Sequence, residues 1–513
     1  MSLSVCTSCL ARLRLSNPPI PSLTAASRLT SSPFHSSAPA QNVIKKKTAN
    51  VAGTRAPKLR ESRSARIKKK QKERPRPPPV GQRRSERRRI VLSNTNALQI
   101  QGLETLTPEN MADAAKVGSV LALDGPVIDQ LREAKAFKTT QNWNLFRAPS
   151  TLVRMETVEV GADIQDVNES VSDTAGLGAS TLRRVVTGEK ASGKSIHLLQ
   201  AMSLAYLNKW VVVNVPDCQE YVNNQSAYTP VARKEGDESK EQMYNQPQLA
   251  ADLLTRLAYS NSDVLSKLKP IHKHGERLDA RKPKTLKDLA LIGAEDRNLA
   301  PRVWDAIWKE LTVPVEGNKE KRPPVLVAID GVNFWMGDTK YRSNDFKVIH
   351  AHQFTLVKQF LSLLFSKDQK NALANGGMAM GVTTKSNHPA TPAFELLVRQ
   401  LRARNNGVEM TDSAFPLGDP YAKMPDARVT GLFHPDTQTT VTELKGLSRP
   451  ESKGLLEYFA KSGIFRDAVT DSAVAEKWSL SGGGIVGEMC KLGARTRVGM
   501  FETGPREGVK VRV

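Results

Sequence analysis

Residues 188–195 read Gly-Glu-Lys-Ala-Ser-Gly-Lys-Ser, the spacing of a loop that wraps the phosphates of a nucleotide. In that chemistry Gly188 and Gly193 keep the turn open, because a side chain at either would block the approach of backbone to phosphate. Glu189, Lys190, Ala191 and Ser192 contribute backbone N–H groups between them. Lys194 reaches toward the β- and γ-phosphates, and Ser195 offers its hydroxyl to Mg²⁺. The helix that begins there favours negative charge at its N-terminus. The expectation is nucleotide binding, and turnover is a separate question.

A second run, Pro324 to Ile329, is apolar and ends in Asp330. A core strand ending in this way delivers a carboxylate to the same crevice, where it would hold Mg²⁺ through water opposite Ser195. The next residue is Gly331, where many hydrolytic proteins of this broad kind carry a Glu that orients the attacking water. Asp338 and Glu443 are substitutes by residue type, but no pattern positions either. Slow turnover or none is therefore expected, with the nucleotide stabilising the fold by mass action. A third run, Gly377 to Thr384, reads as another core strand with a polar end. Thr384 and Asn387 there are candidates for sensing a γ-phosphate, and the alternative is a strand-end Thr bonded to nearby backbone.

Elements must bring these groups together. The loop lies between a strand, Leu182 to Val186, and a helix over Ser195 to Asn208. Trp210 to Val215 is almost continuously β-branched, which suits an interior parallel strand covered on both faces. Pro247 to Tyr259 has the spacing of an amphipathic helix, and Lys267 to Lys287 reads as a basic insertion. His272 and His274, two apart within it, do not make a metal pair. The pattern over 181–424 is thus α/β. Residues 90–180 form a mixed cap, with a helix over Pro126 to Ala136 and the aromatic cluster Phe137, Trp143 and Phe146. Trp143 is expected to be a structural anchor, Leu152 to Met155 strand-like, and residues 161–175 an acidic loop. Residues 425–513 begin with strand-like segments near Val429 and Thr440, then a helix over Arg449 to Ala460. Leu455, Leu456 and Phe459 share one face of it, and Gly482 to Gly484 turn the chain into Ile485 to Lys491. This C-terminal part is expected to be a small, mostly helical lid or docking domain.

The net charge of +23 is unevenly placed. Residues 1–89 hold 22 Lys or Arg against Glu61, Glu73 and Glu86, so they carry +19 and the rest of the chain only +4. Residues 1–44 lack Asp and Glu and mix Arg12, Arg14 and Arg28 with Ser, Ala, Leu and Pro, the composition of a mitochondrial transit peptide. Residues 45–89 form a basic extension too poor in apolar anchors to fold alone. Its Lys45, Lys46, Lys47, Lys68, Lys69, Lys70, Arg83, Arg84, Arg87, Arg88 and Arg89 are candidates for contacting RNA phosphates, with counterion release as the driving term. Four cysteines, Cys6, Cys9, Cys218 and Cys490, give neither zinc spacing nor a disulfide framework. No apolar run approaches the roughly 18 residues of a membrane-spanning helix.

Taken together, these residues resemble the mS29, or death-associated protein 3, family of mitochondrial small-subunit ribosomal proteins. The carriers are Ala136-Phe137 with Gln141-Asn142-Trp143, the 188–195 loop, Trp210 to Asp217, Val325 to Asn333, Leu455 to Gly463 and Ser481 to Cys490. The resemblance spans roughly residues 120–510. It implies a P-loop NTPase core of the AAA-related type in the head of the small subunit. It also implies bound GTP or GDP, and contacts with ribosomal RNA, neighbouring head proteins and the large subunit. Guanine rests on the resemblance alone, since the chain has no Asn-Lys-x-Asp sequence, and ATP stays open. The competing reading is a free mitochondrial P-loop NTPase acting as a remodelling factor or switch.

Overall fold

Five strands lie side by side in the middle of the chain, all parallel, and the sequence shows why. The computed structural model describes residues 90–494, apart from 174–180, 233–240, 314–321, 366–372, 374, 387–389, 420–425 and 435–437. The expected transit peptide, the basic extension with its RNA-contact candidates, and Asn387 lie outside the described residues.

In chain order the cap supplies β1 (Val120–Ala122), α1 (Gly125–Glu133), β2 (Ser150–Leu152) and α2 (Met155–Asp173). Next come β3 (Thr181–Gly188), α3 (Lys194–Leu207), β4 (Val211–Val215), α4 (Pro247–Ser260), α5 (Leu286–Glu295) and α6 (Ala300–Thr312). They are followed by β5 (Val325–Asp330), a hairpin of β6 (Asp338–Arg342) and β7 (Val348–His350), α7 (Thr355–Leu364), β8 (Gly377–Val382) and α8 (Pro392–Asn405). The chain then runs through β9 (Thr439–Leu444), α9 (Arg449–Lys461), α10 (Asp471–Leu480) and α11 (Val486–Ala494). The main sheet has the order β9-β3-β8-β5-β4. Thus β8 separates the strand that leads into the Gly188–Ser195 loop from the strand that ends in Asp330.

Both faces of this sheet are covered. Along β4, Val211, Val213 and Val215 pack with α4, α6 and α7 on one side, while Val212 packs with α3 and the cap on the other. The period-2 alternation of a strand turns a continuous apolar run into two buried rows. Each buried Val contributes roughly 1.5 kcal/mol or more. A third, smaller cluster joins the cap to the C-terminal helices. In it Phe146 stacks on Phe459 with centroids 5.3 Å apart, beside Leu455, Leu456 and Met489.

Three expectations are corrected. Residues 161–175 are not a loop, because most of them belong to α2, where Val160, Ile164 and Val167 are buried at helical spacing. The acidic residues around that narrow stripe concealed it. The strand expected at Leu152 to Met155 stops at Leu152, and Met155 opens the helix. Val429 lies in a short helix, Ala427–Thr430, capped by the Asp426 side chain on the Arg428 N–H. The strand near Thr440 is present as β9, but it pairs in parallel with β3, Leu444 opposite Gly188, and so is an edge of the main sheet. The basic insertion is pinned by buried Glu310. Its Oε1 accepts from the Ile271 and His272 N–H groups at 2.8 and 2.7 Å and lies 2.8 Å from His274 Nε2, and its other oxygen meets Arg322.

Candidate functional site

The loop expected from the sequence forms at the carboxyl end of β3 and opens directly into α3. Gly188 has φ +147°, and a Cβ there would come within 2.4 Å of the Leu444 carbonyl oxygen and 2.9 Å of Ser192 Oγ. Gly193 has φ +98° with its nearest neighbour 3.6 Å away, so backbone conformation rather than space reserves that position for glycine. Ala191 also adopts a positive φ, +63°. Glu189, Lys190 and Ala191 are exposed, whereas Ser192 and Lys194 are buried. The first N–H groups of α3, including that of Ser195, have no carbonyl of their own helix to bond.

Lys194 folds over the loop, where its Nζ donates to the Gly188 carbonyl at 3.0 Å and the Glu189 carbonyl at 2.5 Å. Burial, followed by the nearby Lys385 charge, pushes its pKa down to about 8. Lys385, just beyond β8, pairs with Glu189 at 2.6 Å, and that contact holds the Glu189 carboxyl below its usual range. Farther along the helix, burial drives His197 down to about 3, so it is a neutral core residue.

Asp330 is buried at the end of β5, close to this loop, and its carboxylate pairs with Lys138 of the cap. Gly331 follows with φ +89°, its N–H donating to the Val382 carbonyl at 2.8 Å. Thr384 is held from the turn that follows β5. The Asn333 amide donates to the Thr384 carbonyl and accepts from its N–H, both at 2.9 Å. The Thr384 hydroxyl accepts from the Ser386 N–H at 3.2 Å, and Thr383 Oγ1 donates to the Val186 carbonyl at 3.2 Å. These are the backbone bonds of strand-end threonines. Of the two substitute carboxylates, Glu443 pairs with Arg402 at 3.2 Å, and Asp338 is exposed on the β6–β7 hairpin, opposite His350 in register. A cavity of about 560 Å³ borders the loop on the α8 side, lined in part by Gly188, Asn333, Thr384, Lys385, Arg399 and Arg402.

Sequence reasoning missed two residues that shape this crevice. Buried Arg154 donates to the Ser192 carbonyl at 3.1 Å and the Lys445 carbonyl at 2.9 Å, tying cap, loop and C-terminal region together. Lys138 sits 192 residues before the aspartate it meets. Neither carries a local motif. The remaining clamp on the loop comes from α11, where the Gly487 N–H donates to the Ala191 carbonyl at 2.9 Å and Val486 lies against Gly193. As expected, Trp143 is an anchor: it is buried, edge-on to Phe137 at 5.2 Å, with its Nε1 donating to Gln141 at 2.7 Å.

A parallel α/β sheet with a glycine loop, a buried lysine and a strand-end aspartate at its carboxyl edge is an arrangement consistent with the NTPase-like class. The comparisons then fix the family. The profile of mitochondrial ribosomal death-associated protein 3 matches residues 151–492. The small ribosomal subunit protein mS29 of Neurospora crassa is 38% identical over 414 residues, covering 80% of this chain and 82% of that protein. Its counterpart in Schizosaccharomyces pombe is 24% identical over 352 residues, covering 67% and 64%. For mouse mS29 the figures are 25% over 178 residues, 34% and 43%. The chain belongs to the mS29, or death-associated protein 3, family of mitochondrial small-subunit ribosomal proteins. Its place is the mitochondrial matrix, at the mitochondrial ribosome. Among the described residues no helix is long and apolar enough to cross a membrane.

Proposed function

We propose that this chain is a structural component of the small-subunit head that retains a guanine nucleotide at Gly188–Ser195 and contacts ribosomal RNA and neighbouring proteins, with little or no turnover. The observation that carries the nucleotide reading is Lys194. Its ammonium is buried at the loop mouth, and no carboxylate lies within ion-pairing distance among the described residues. Burial of a cation in that state is unfavourable, and an arriving phosphate would supply the missing counter-charge. The strand order, with β8 between the loop strand and the aspartate strand, supports an AAA-related P-loop core. Thr384 and Asn387 stay as candidate γ-phosphate sensors, and Ser195 and Asp330 mark where a cation beside the phosphates would sit.

Little turnover follows from Gly331. The common glutamate is replaced by a residue in left-handed conformation, Glu443 is paired with Arg402, and Asp338 lies exposed on the β6–β7 hairpin. The nucleotide would then act as a permanent part of the fold. Guanine rather than adenine is carried from the family resemblance. The test is Lys194→Ala. Losing a charge-assisted contact worth roughly 1.5–3 kcal/mol lowers nucleotide retention about tenfold or more. Unchanged nucleotide content in the purified variant would refute the assignment.

A further inference from the structure

The cap corner that carries Lys138 is built to hold one orientation. The Gln141 side-chain oxygen accepts from both the Lys138 N–H and Trp143 Nε1, each at 2.7 Å. Phe137 lies edge-on against the same Trp143, and the end of α1 is tied to β4 by the Asn214 amide donating to the Ala134 carbonyl at 2.8 Å. Trp143 and Phe137 are both buried, so the backbone at Lys138 is fixed from two sides. From that corner the Lys138 ammonium reaches across to pair with Asp330, whose side chain is only 7% exposed. Asp217, the other acid in this neighbourhood, caps the turn that follows β4, one of its oxygens accepting the Gln219 N–H at 2.8 Å.

This arrangement fits a divalent ion poorly. Magnesium is held through one or two carboxylates whose oxygens are free to accept bound water. Asp330 instead stands in a partly buried ion pair, and Gly331 supplies no second acid. An entering metal would have to displace the Lys138 ammonium and shed part of its own tightly held water, whereas the Lys138–Asp330 contact is already made within the fold. Among the described residues no group of three or more His, Cys, Asp or Glu is placed to hold a metal.

The geometry points to Lys138 as a tethered cation that takes the place of Mg²⁺ at Asp330, so that nucleotide retention is independent of divalent metal. The inference rests on the nucleotide reading above and specifies the counter-ion at that site. Lys138 is a positioning residue for the phosphates, supplied by the cap rather than by solvent. Retention without metal also suits a nucleotide that is kept rather than turned over, since hydrolysis in this class depends on the ion to neutralise developing charge.

The test loads the full-length chain with radiolabelled GDP and follows release in Mg²⁺ and in EDTA. The wild-type release rate should change by less than about twofold between the two buffers, whereas Lys138→Met should release about tenfold faster in EDTA and recover in Mg²⁺. Lys138→Arg keeps the charge and should stay resistant to EDTA, which separates loss of the cation from damage to the cap. Wild-type protein that holds GDP in Mg²⁺ but sheds it in EDTA would overturn the tethered cation and leave the nucleotide reading intact. So would Lys138→Met protein as resistant to EDTA as wild type. Wild-type protein that holds no GDP in either buffer would remove both.

Discussion

At Gly331 the proposal of retention without turnover comes down to a single residue. Its φ of +89° and a Phe334 ring carbon 3.3 Å from a virtual Cβ make the position hostile to side chains. A glutamate there would be strained by the backbone and crowded by Phe334. Placing it there should not restore hydrolysis. Gly331→Glu is expected to lower stability by about 1–3 kcal/mol through left-handed strain, with no rise in phosphate release. Thermal unfolding and a phosphate-release assay on the same sample check both halves. A stable variant that hydrolyses GTP would show that the site lacked only this carboxylate. The residue scale was also where the sequence spoke most clearly. Gly188, Gly193, Lys194 and Asp330 could be found because each belongs to a local pattern with a stated spacing. Arg154 and Lys138 could not, because their partners lie 38 and 192 residues away and only the fold brings them together.

At the scale of elements, the loop is held by its neighbours as much as by its own turn. Arg154 grips it from the cap side and α11 from the other. A Cβ on Gly487 would lie 2.6 Å from the Ala191 Cβ, closer than real side chains come. Gly487→Val is therefore expected to push α11 off the loop and speed nucleotide release about tenfold, with faster amide exchange confined to the loop and the C-terminal helices. Exchange and release identical to wild type would show that α11 merely rests there. Element assignment from sequence succeeded for α3, α4, β4, β5 and α9, whose apolar periods are strong. It failed for α2, where a thin stripe of Val160, Ile164 and Val167 is surrounded by acidic residues. The membership of β9 in the main sheet was illegible for another reason: parallel pairing with β3 joins Val185 to Val441, and no local signal encodes a partner so distant.

For the whole molecule, charge and fold divide the work. The described residues 90–494 belong to one compact unit, and residues 1–89, with a net charge of +19, precede them in the chain. Deleting residues 45–89 should weaken RNA binding and reduce its dependence on salt, because the salt slope falls by nearly one unit for every phosphate that the chain no longer neutralises. Binding measured at two salt concentrations, with and without the segment, checks this. Equal affinities throughout would remove the extension from the RNA interface. The family places the chain at the mitochondrial ribosome, so nucleotide and ribosome should travel together. The most direct measurement is a high-salt density gradient of mitochondrial lysate, following this chain against small-subunit RNA and assaying the peak for nucleotide. Stoichiometric co-migration with bound guanine nucleotide is the predicted result. Release of the chain into light fractions, or a small-subunit peak that contains the chain but no nucleotide, would contradict the account.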